Sequence, residues 1–488
     1  MVKKGIPASQ NSKPEKFDSR AALKKAAFCF IIKVMKYFIQ TFGCQMNKSD
    51  SERIAGVLEK IGYKRASKEN EADLILINMC SVRQSAVDRV YGMAKKFAKL
   101  KIQNLKLKTL LTGCVSKKDF EKFKNSFDYI LSIKALSKWP EFLKKEKFYF
   151  YPNPRDEKFI KECGAEYLKE KSKREKNFSV FIPISTGCDN FCSFCIVPYV
   201  RGPLICRSHE EILEEAKEAI KNGAREIWLL GQIVNNYFYP QTDKKAVSFA
   251  DLLRMVNEIE GDFWIRFTSP HPKNFSDELI ETMAKYQKVT PYLNLPVQSG
   301  DDEILKKMNR GYTIKEYKNL VKKIKRAFKK YRKGLEKEIA ISTDIIVGFP
   351  GETEKNFQNT VKLFKEMKFD MAYIAQYSPR PGTAAEKMKD DVKKEEKERR
   401  WKILTEILKK IALEKNKKFI GKEIAVLIDE EKNGFLFGKT RHYKTVKIQL
   451  DPRTLVTSRA GVKPNLVGQF LKTKIVDATS FGLKGKLI

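Results

Sequence analysis

The chain has 488 residues, enough for about three domains with cores of their own, and its 97 Lys+Arg against 60 Asp+Glu leave a net charge of +37. No apolar run approaches the roughly 20 residues needed to cross a bilayer, which argues against a membrane-spanning helix. Nine cysteines without a secretory context point to a reducing, cytoplasmic setting, and the positive excess suits a polyanion, nucleic acid first. Lysine dominates that excess, so charge alone leaves a general lysine enrichment equally open.

Residues 1–34 read as an extension or a misassigned start. Their apolar run Ala26–Ile32, which holds Cys29, is broken by Lys33 and followed by no small-residue cleavage site. A strand is expected from Met35, opening a first domain over 35–150. Three apolar runs there each end in a cysteine: Tyr37 to Cys44, Leu74 to Cys80 and Leu105 to Cys114. The intervals of 36 and 34 residues between those cysteines suit strand–helix–strand units. Between the first two, Ile54, Val57, Leu58 and Ile61 share a helical face. An open α/β sheet binds ligands beyond the carboxyl ends of its strands, so Cys44, Cys80 and Cys114 are expected to converge on a metal. The competing reading makes each a small buried hydrophobe.

Residues 151–176, rich in Lys and Glu after Tyr151-Pro152-Asn153-Pro154, read as a linker in which Cys163 sits in a polar setting and is no ligand. From 177 to 411 six strand-like runs alternate with helical stretches: Phe178–Cys188, Glu226–Gln232, Trp264–Ser269, Tyr292–Gln298, Ala340–Gly348 and Met371–Ser378. That alternation predicts a parallel sheet with helical crossovers, an open (βα)6 partial barrel with its function at the carboxyl ends. The first run leads into FSVFIPISTGCDNFCSFCIVPYVRG, with Cys188, Cys192 and Cys195 inside eight positions. Thiolates this close repel unless a metal takes up their charge. Structural zinc wants four protein ligands, whereas this loop offers three, no nearby His, and only the distant Cys206 as a fourth. Iron–sulfur clusters accept such tight spacing, and three thiolates leave one iron of a four-iron cube open. At the other strand ends stand His271, Asp344 and the turn Gly348-Phe349-Pro350-Gly351, whose glycines let backbone approach a ligand. The basic stretch Lys315–Lys337 reads as a solvated helix face.

From 412 to 488 the pattern changes to short β runs with turns and no crossover helices, which predicts a small antiparallel barrel. Lys415 onward carries sixteen Lys/Arg against six Asp/Glu. The basic turn with an aromatic, Gly438–Thr445, offers Lys439, Arg441 and Lys444 to RNA phosphates.

These residues resemble the radical S-adenosylmethionine (SAM) methylthiotransferases of the MiaB type, which act on tRNA. The likeness rests on Thr41–Asn47 with Asp50-Ser51-Glu52, on Asn78–Arg83 (with Met79 where Thr is usual), and on Thr112-Gly113-Cys114. It continues through the C-x3-C-x-aromatic-C loop with Phe194, then Ile196–Tyr199 and Arg201-Gly202, and runs nearly the whole way from Met35. Ile233 and Asn294 depart from it, standing where Asn and His are usual. The resemblance implies an α/β N-terminal methylthiotransferase domain, a radical SAM core and a TRAM RNA-binding domain. It implies two 4Fe-4S clusters: one on Cys188, Cys192 and Cys195 with SAM on its open iron, and an auxiliary one on Cys44, Cys80 and Cys114 carrying the sulfur. Phe194, Asp344, Gly348 and Gly351 fall to SAM, and no side chain beyond the cluster ligands is assigned to catalysis. The implied partners are the tRNA anticodon loop, a low-potential electron donor and a sulfur source. The implied reaction converts N6-isopentenyladenosine beside the anticodon, at adenosine 37, to its 2-methylthio derivative. A ring carbon bearing hydrogen resists acid–base attack, so a cofactor must carry that step. Alternatives are a methylthiotransferase for N6-threonylcarbamoyladenosine or a ribosomal protein, a non-catalytic iron–sulfur RNA-binding protein, and a zinc scaffold. The basic tail argues against the ribosomal protein.

Overall fold

The computed structural model describes residues 34–242, 245–450 and 465–488. Cys29 and nearly all of the expected extension lie outside the described residues. The N-terminal region is an open sheet of six parallel strands: β1 (Lys36–Thr41), β2 (Lys64–Arg65), β3 (Leu74–Cys80), β4 (Lys108–Cys114), β5 (Tyr129–Leu131) and β6 (Phe148–Phe150), in the order β2-β1-β3-β4-β5-β6. Helices α1 (Gln45–Lys60) and α2 (Gln84–Gln103) are two of its crossovers. Every residue of β3 is buried, which explains why its sequence is a nearly unbroken apolar run. Leu74 and Leu76 face one core cluster while Ile75 and Ile77 face another, so both faces of the sheet are covered. The strand order reverses between β1 and β3. In such sheets the crevice outside the carboxyl ends at that point is where ligands lie.

Residues 151–176 differ from the expected linker. They form a helix over Glu157–Cys163 and a short turn of helix over Glu166–Lys169, with Tyr167 and Leu168 in the N-terminal core. Cys163 is buried beside Ala135 and Phe159 rather than in a polar setting. Charge density misled here, because the few apolar residues of this stretch are the ones that pack.

All six strands of the central region are present: β7 (Ser179–Pro183), β8 (Glu226–Leu230), β9 (Trp264–Phe267), β10 (Tyr292–Asn294), β11 (Ala340–Val347) and β12 (Met371–Gln376). They form two parallel three-stranded sheets, joined among the described residues by a bridge between Ile265 and Val289. The six thus follow one another in chain order around a partial barrel, open between β7 and β12. One large cluster of buried aliphatic and aromatic side chains fills the space between sheet and helices. The helix Ile314–Tyr331 buries Tyr317, Val321, Ile324 and Phe328, and its lysines face outward as the sequence predicts. Arg332 is the exception. It is buried and donates to the carbonyls of Ala284, Met283 and Val289.

Helix α3 (Lys394–Lys417) leads to a closed five-stranded barrel, β13 (Glu423–Lys432), β14 (Phe435–Thr440), β15 (Thr445–Gln449), β16 (Phe470–Thr479) and β17 (Gly482–Leu487), ordered β13-β14-β15-β17-β16. The closure is not wholly antiparallel, because β15 and β17 run parallel. This small barrel is clamped to the N-terminal end of the larger one. Arg266 of β9, itself buried, donates to the carbonyls of Thr440 and Arg441, both at 2.8 Å.

Candidate functional site

The three N-terminal cysteines meet at the reversal point. Cys80 and Cys114 end β3 and β4 as register partners. Cys44 follows β1 and is the N-cap of α1, with extended backbone. Gly43 lets it come close: at φ +152° a Cβ there would stand 3.0 Å from the Cβ of Cys80 and 2.8 Å from Asn47 Cγ. Asn47 donates to Asn78 Oδ1 (2.9 Å) and the Met79 carbonyl (3.0 Å), and Asn78 returns a bond to the Asn47 carbonyl (2.8 Å). The polar residues of these motifs are therefore braces for the cysteine-bearing backbone. Burial pushes the Cys80 thiol up, with Cys44 adding to it, and pushes Cys114 up to about 12. Charging these thiols together is costly without a cation among them.

The second trio sits in the loop after β7. Cys188 and Cys192 are buried and Cys195 half-buried. The Cys188 amide donates to the Gly202 carbonyl (3.1 Å), and that of Cys195 to the Cys192 carbonyl (2.9 Å). Burial raises the Cys188 thiol and drives Cys195 to about 12, with Cys192 the next contributor. Arg310, buried, donates to Cys192 Sγ at 3.2 Å, to the Pro296 carbonyl at 3.0 Å and to the Tyr312 hydroxyl at 3.1 Å. Its charge, after burial, also drives His271 down to about 3, leaving a neutral imidazole whose Nε2 has no partner.

A second arginine touches the first trio. Arg201, six positions after Cys195, donates Nε–H to Cys114 Sγ at 3.0 Å and forms an ion pair with Asp50 of α1 at 2.6 Å. The loop of one trio thereby reaches a sulfur of the other.

Phe194 packs in a cluster with Ile304, Met308, Phe349 and Tyr377, which ties the loop to the Gly348–Gly351 turn. Gly348 and Gly351 both have positive φ, but the room beside them belongs to the protein. A Cβ at Gly348 would lie 2.3 Å from Lys397, and one at Gly351 2.4 Å from Lys307. Their amides donate to Glu352 and Asp391. Asp344 accepts from Asn294 Nδ2 at 3.0 Å. Burial raises its carboxyl against the pull of Asn294, Arg83 and Arg310.

A chamber of about 570 Å³ opens between the N-terminal sheet and the two barrels, lined among others by Cys44, Arg83, Phe181, Trp228, Lys439 and Tyr443. The Tyr443 ring lies 5.1 Å from Trp228 and 4.7 Å from Tyr292.

Three family models match this architecture: "Uncharacterized protein family UPF0004" over residues 36–133, the radical SAM superfamily over 182–364, and the TRAM domain over 417–488. A tRNA-2-methylthio-N(6)-dimethylallyladenosine synthase of Clostridium novyi (strain NT) is 40% identical over 465 residues, covering 93% of this chain and 96% of its own. One of Dictyoglomus thermophilum is 40% identical over 466 residues, covering 93% and 98%. The chain belongs to this family of radical SAM methylthiotransferases. Among solved structures, the radical SAM methyltransferase TsrM of Kitasatospora setae aligns over 70% of this chain and 73% of its own at 11% identity and TM-score 0.48.

Membership in the radical SAM superfamily brings a 4Fe-4S cluster and SAM, and the donor chemistry of this chain fits. Among the described residues no three His, Cys, Asp or Glu side chains gather closely enough for a single metal ion. A four-iron cube hangs its thiolates on separate irons, so its ligands stand wider apart than those of one ion. Cys206, in the short strand Ile205–Cys206, packs against the central core and joins neither trio. Among the described residues no helix is long and apolar enough to cross a membrane.

The basic turn of the TRAM barrel is engaged inside the protein. Lys444 is buried and ion-paired with Asp370 at 2.8 Å. Arg441 pairs with Glu336 at 2.5 Å and donates to the Gln287 carbonyl. Lys439 donates to Thr445 Oγ1 at 2.7 Å and lies over the Tyr443 ring. Sequence reasoning missed Asp50 as a buried ion-pair partner and Arg201 and Arg310 as donors to sulfur. A buried arginine carries no local signature; Asp50 and Arg201 stand inside the matched motifs, which was the available signal, and Arg310 stands outside them.

Proposed function

We propose that this protein is a radical SAM methylthiotransferase that converts N6-isopentenyladenosine beside the tRNA anticodon to 2-methylthio-N6-isopentenyladenosine. The observation that carries the reading is the pair of cysteine trios at the carboxyl ends of two neighbouring sheets, joined through Arg201. Cys188, Cys192 and Cys195 would hold the radical-generating cluster, and Cys44, Cys80 and Cys114 the sulfur-bearing one. When bound, these clusters and SAM supply the radical, the methyl group and the sulfur, which no side chain here can provide.

The protein's own residues bind and orient. The chamber has the size of an ordinary small-molecule site, so a base flipped out of the anticodon loop fits within it. Phe181 and Tyr443 offer stacking faces, and buried Trp228 backs them with apolar surface, for the base and its isopentenyl tail. Lys48 and Arg83 offer cations to the flanking phosphates. Asp344, held by Asn294, and Phe194, packed against Phe349 and Tyr377, are the side chains that would meet SAM. A low-potential electron donor and a sulfur source complete the reaction, and the setting is the cytoplasm.

Nucleoside mass spectrometry of tRNA from the host with and without the gene tests this. The expected result is loss of 2-methylthio-N6-isopentenyladenosine with accumulation of its unthiolated precursor. Loss of a methylthio-threonylcarbamoyl nucleoside instead would move the substrate to that base, and no change in either would remove tRNA methylthiolation altogether.

A further inference from the structure

We infer that Arg201 is a positioning residue for the N-terminal centre: it fixes Cys114, raises that centre's reduction potential, and ties it to the loop of the second trio. The inference rests on the reading that Cys44, Cys80 and Cys114 hold an iron–sulfur cluster.

Arg201 is 1% exposed and its planar guanidinium is held from three sides. Nε–H points at Cys114 Sγ (3.0 Å), Nη1 donates to the Tyr167 hydroxyl (3.3 Å), and Nη2 to Asp50 Oδ2 (2.6 Å). Asp50 is fully buried and its other oxygen has no partner, so its charge answers to Arg201. The backbone is fixed as well. The carbonyl of the next residue, Gly202, accepts the Cys188 amide. With φ +74°, Gly202 also lies so near Pro154 that a Cβ would come within 2.3 Å of its carbonyl oxygen. One side chain with one neighbouring peptide thus spans Cys114 and Cys188, 74 positions apart in sequence.

A hydrogen bond donated to a ligating thiolate stabilises the electron-rich, reduced form of a cluster and raises its potential. Arg310 gives Cys192 the same kind of contact, but its remaining donors meet a carbonyl and a hydroxyl, with no carboxylate in the set. At Arg201 the buried Asp50 offsets the guanidinium charge. That opposition yields a test with two signs. Losing Arg201 removes the donor and lowers the potential, whereas Asp50→Asn leaves the guanidinium uncompensated and raises it.

The test uses the full chain carrying Cys188→Ala, Cys192→Ala and Cys195→Ala, reconstituted with iron and sulfide without oxygen, so that any cluster belongs to the N-terminal trio. Redox titration followed by electron paramagnetic resonance reads the potential, and iron analysis reads occupancy. Arg201→Met is expected to lower the reduction equilibrium constant about tenfold, about 59 mV for a one-electron couple. Asp50→Asn is expected to move it the other way, Arg201→Lys to recover part of the loss, and Tyr167→Phe to leave it in place. If Arg201→Met does not fold, Arg201→Lys and Asp50→Asn carry the test with their opposite signs. Unchanged potentials at full iron content, or shifts of the same sign in both variants as simple loosening would give, overturn the inference. A parent that binds no iron sinks the cluster reading beneath it, and that result is seen before any Arg201 variant is made.

Discussion

Asp370 shows how one residue redirects a functional reading. Burial alone would raise its carboxyl, but Lys444 and then Lys415 outweigh that and hold it below the usual carboxylate range. A carboxyl depressed in the folded state adds stability that is fully present above its unfolded value of about 3.9 and fades as pH falls through the lower folded value. Asp370→Asn leaves two lysines facing a neutral amide at the seam between the barrels, an expected loss of about 3 kcal/mol at neutral pH. Urea denaturation across pH checks it: the gap between wild type and variant should be full at pH 7 and close in strong acid. The basic turn Gly438–Thr445 was legible in the sequence as a charge cluster. That Lys444 spends its charge on Asp370 was not, because the partner lies 74 residues away and comes near only when the small barrel docks. Arg201 escaped for the same reason, its partner Asp50 being 151 residues distant.

At the scale of elements, sequence and structure agree most closely where one strand decides the matter. The run Leu74–Cys80 is apolar because both faces of β3 are covered, and the three cysteines were readable because parallel strands bring their carboxyl ends into line. The six strands of the partial barrel were legible through the same alternation. The stretch 151–176 was not, since its contribution to the core comes from isolated side chains such as Tyr167 within a charged sequence. Gly113 links these two outcomes. It precedes Cys114 at φ +98°, and a Cβ there would stand 2.4 Å from both Asn78 Oδ1 and the Met79 carbonyl. Gly113→Ala must therefore part the ends of β3 and β4, where Cys80 and Cys114 are paired. The expected outcome, read by iron analysis and absorbance after anaerobic reconstitution, is loss of about half the iron, with the centre on Cys188, Cys192 and Cys195 retained. Full iron content in the variant would show that the N-terminal trio is not a cluster site or tolerates that displacement.

For the whole molecule, the question left by the docked turn is where a chain of net charge +37 meets RNA. The outward face of the small barrel supplies an answer. On β15, β16 and β17 the exposed residues Lys447, Lys472, Lys474, Lys484 and Lys486 alternate with buried Val446, Ile448, Thr473, Ile475 and Leu483. Register sets Lys447 beside Lys484 and Lys474 beside Lys486. Like charges directly opposite one another destabilise a sheet, and two acids relieve this one in part: Glu423 pairs with Lys472 and Asp477 with Lys484, both at 2.7 Å. The excess that remains suits a phosphate backbone, whose binding releases counterions and so weakens as salt rises. Replacing Lys474 and Lys486 together by Met should weaken tRNA binding and flatten the slope of log affinity against log salt by about two. Lys444→Met should leave that slope unchanged while lowering stability, because its charge is already neutralised by Asp370. Affinities measured by filter binding from low to moderate salt separate the two surfaces. An unaltered slope in the double variant, with a flattened one in Lys444→Met, would return RNA contact to the turn and require the small barrel to undock before tRNA binds.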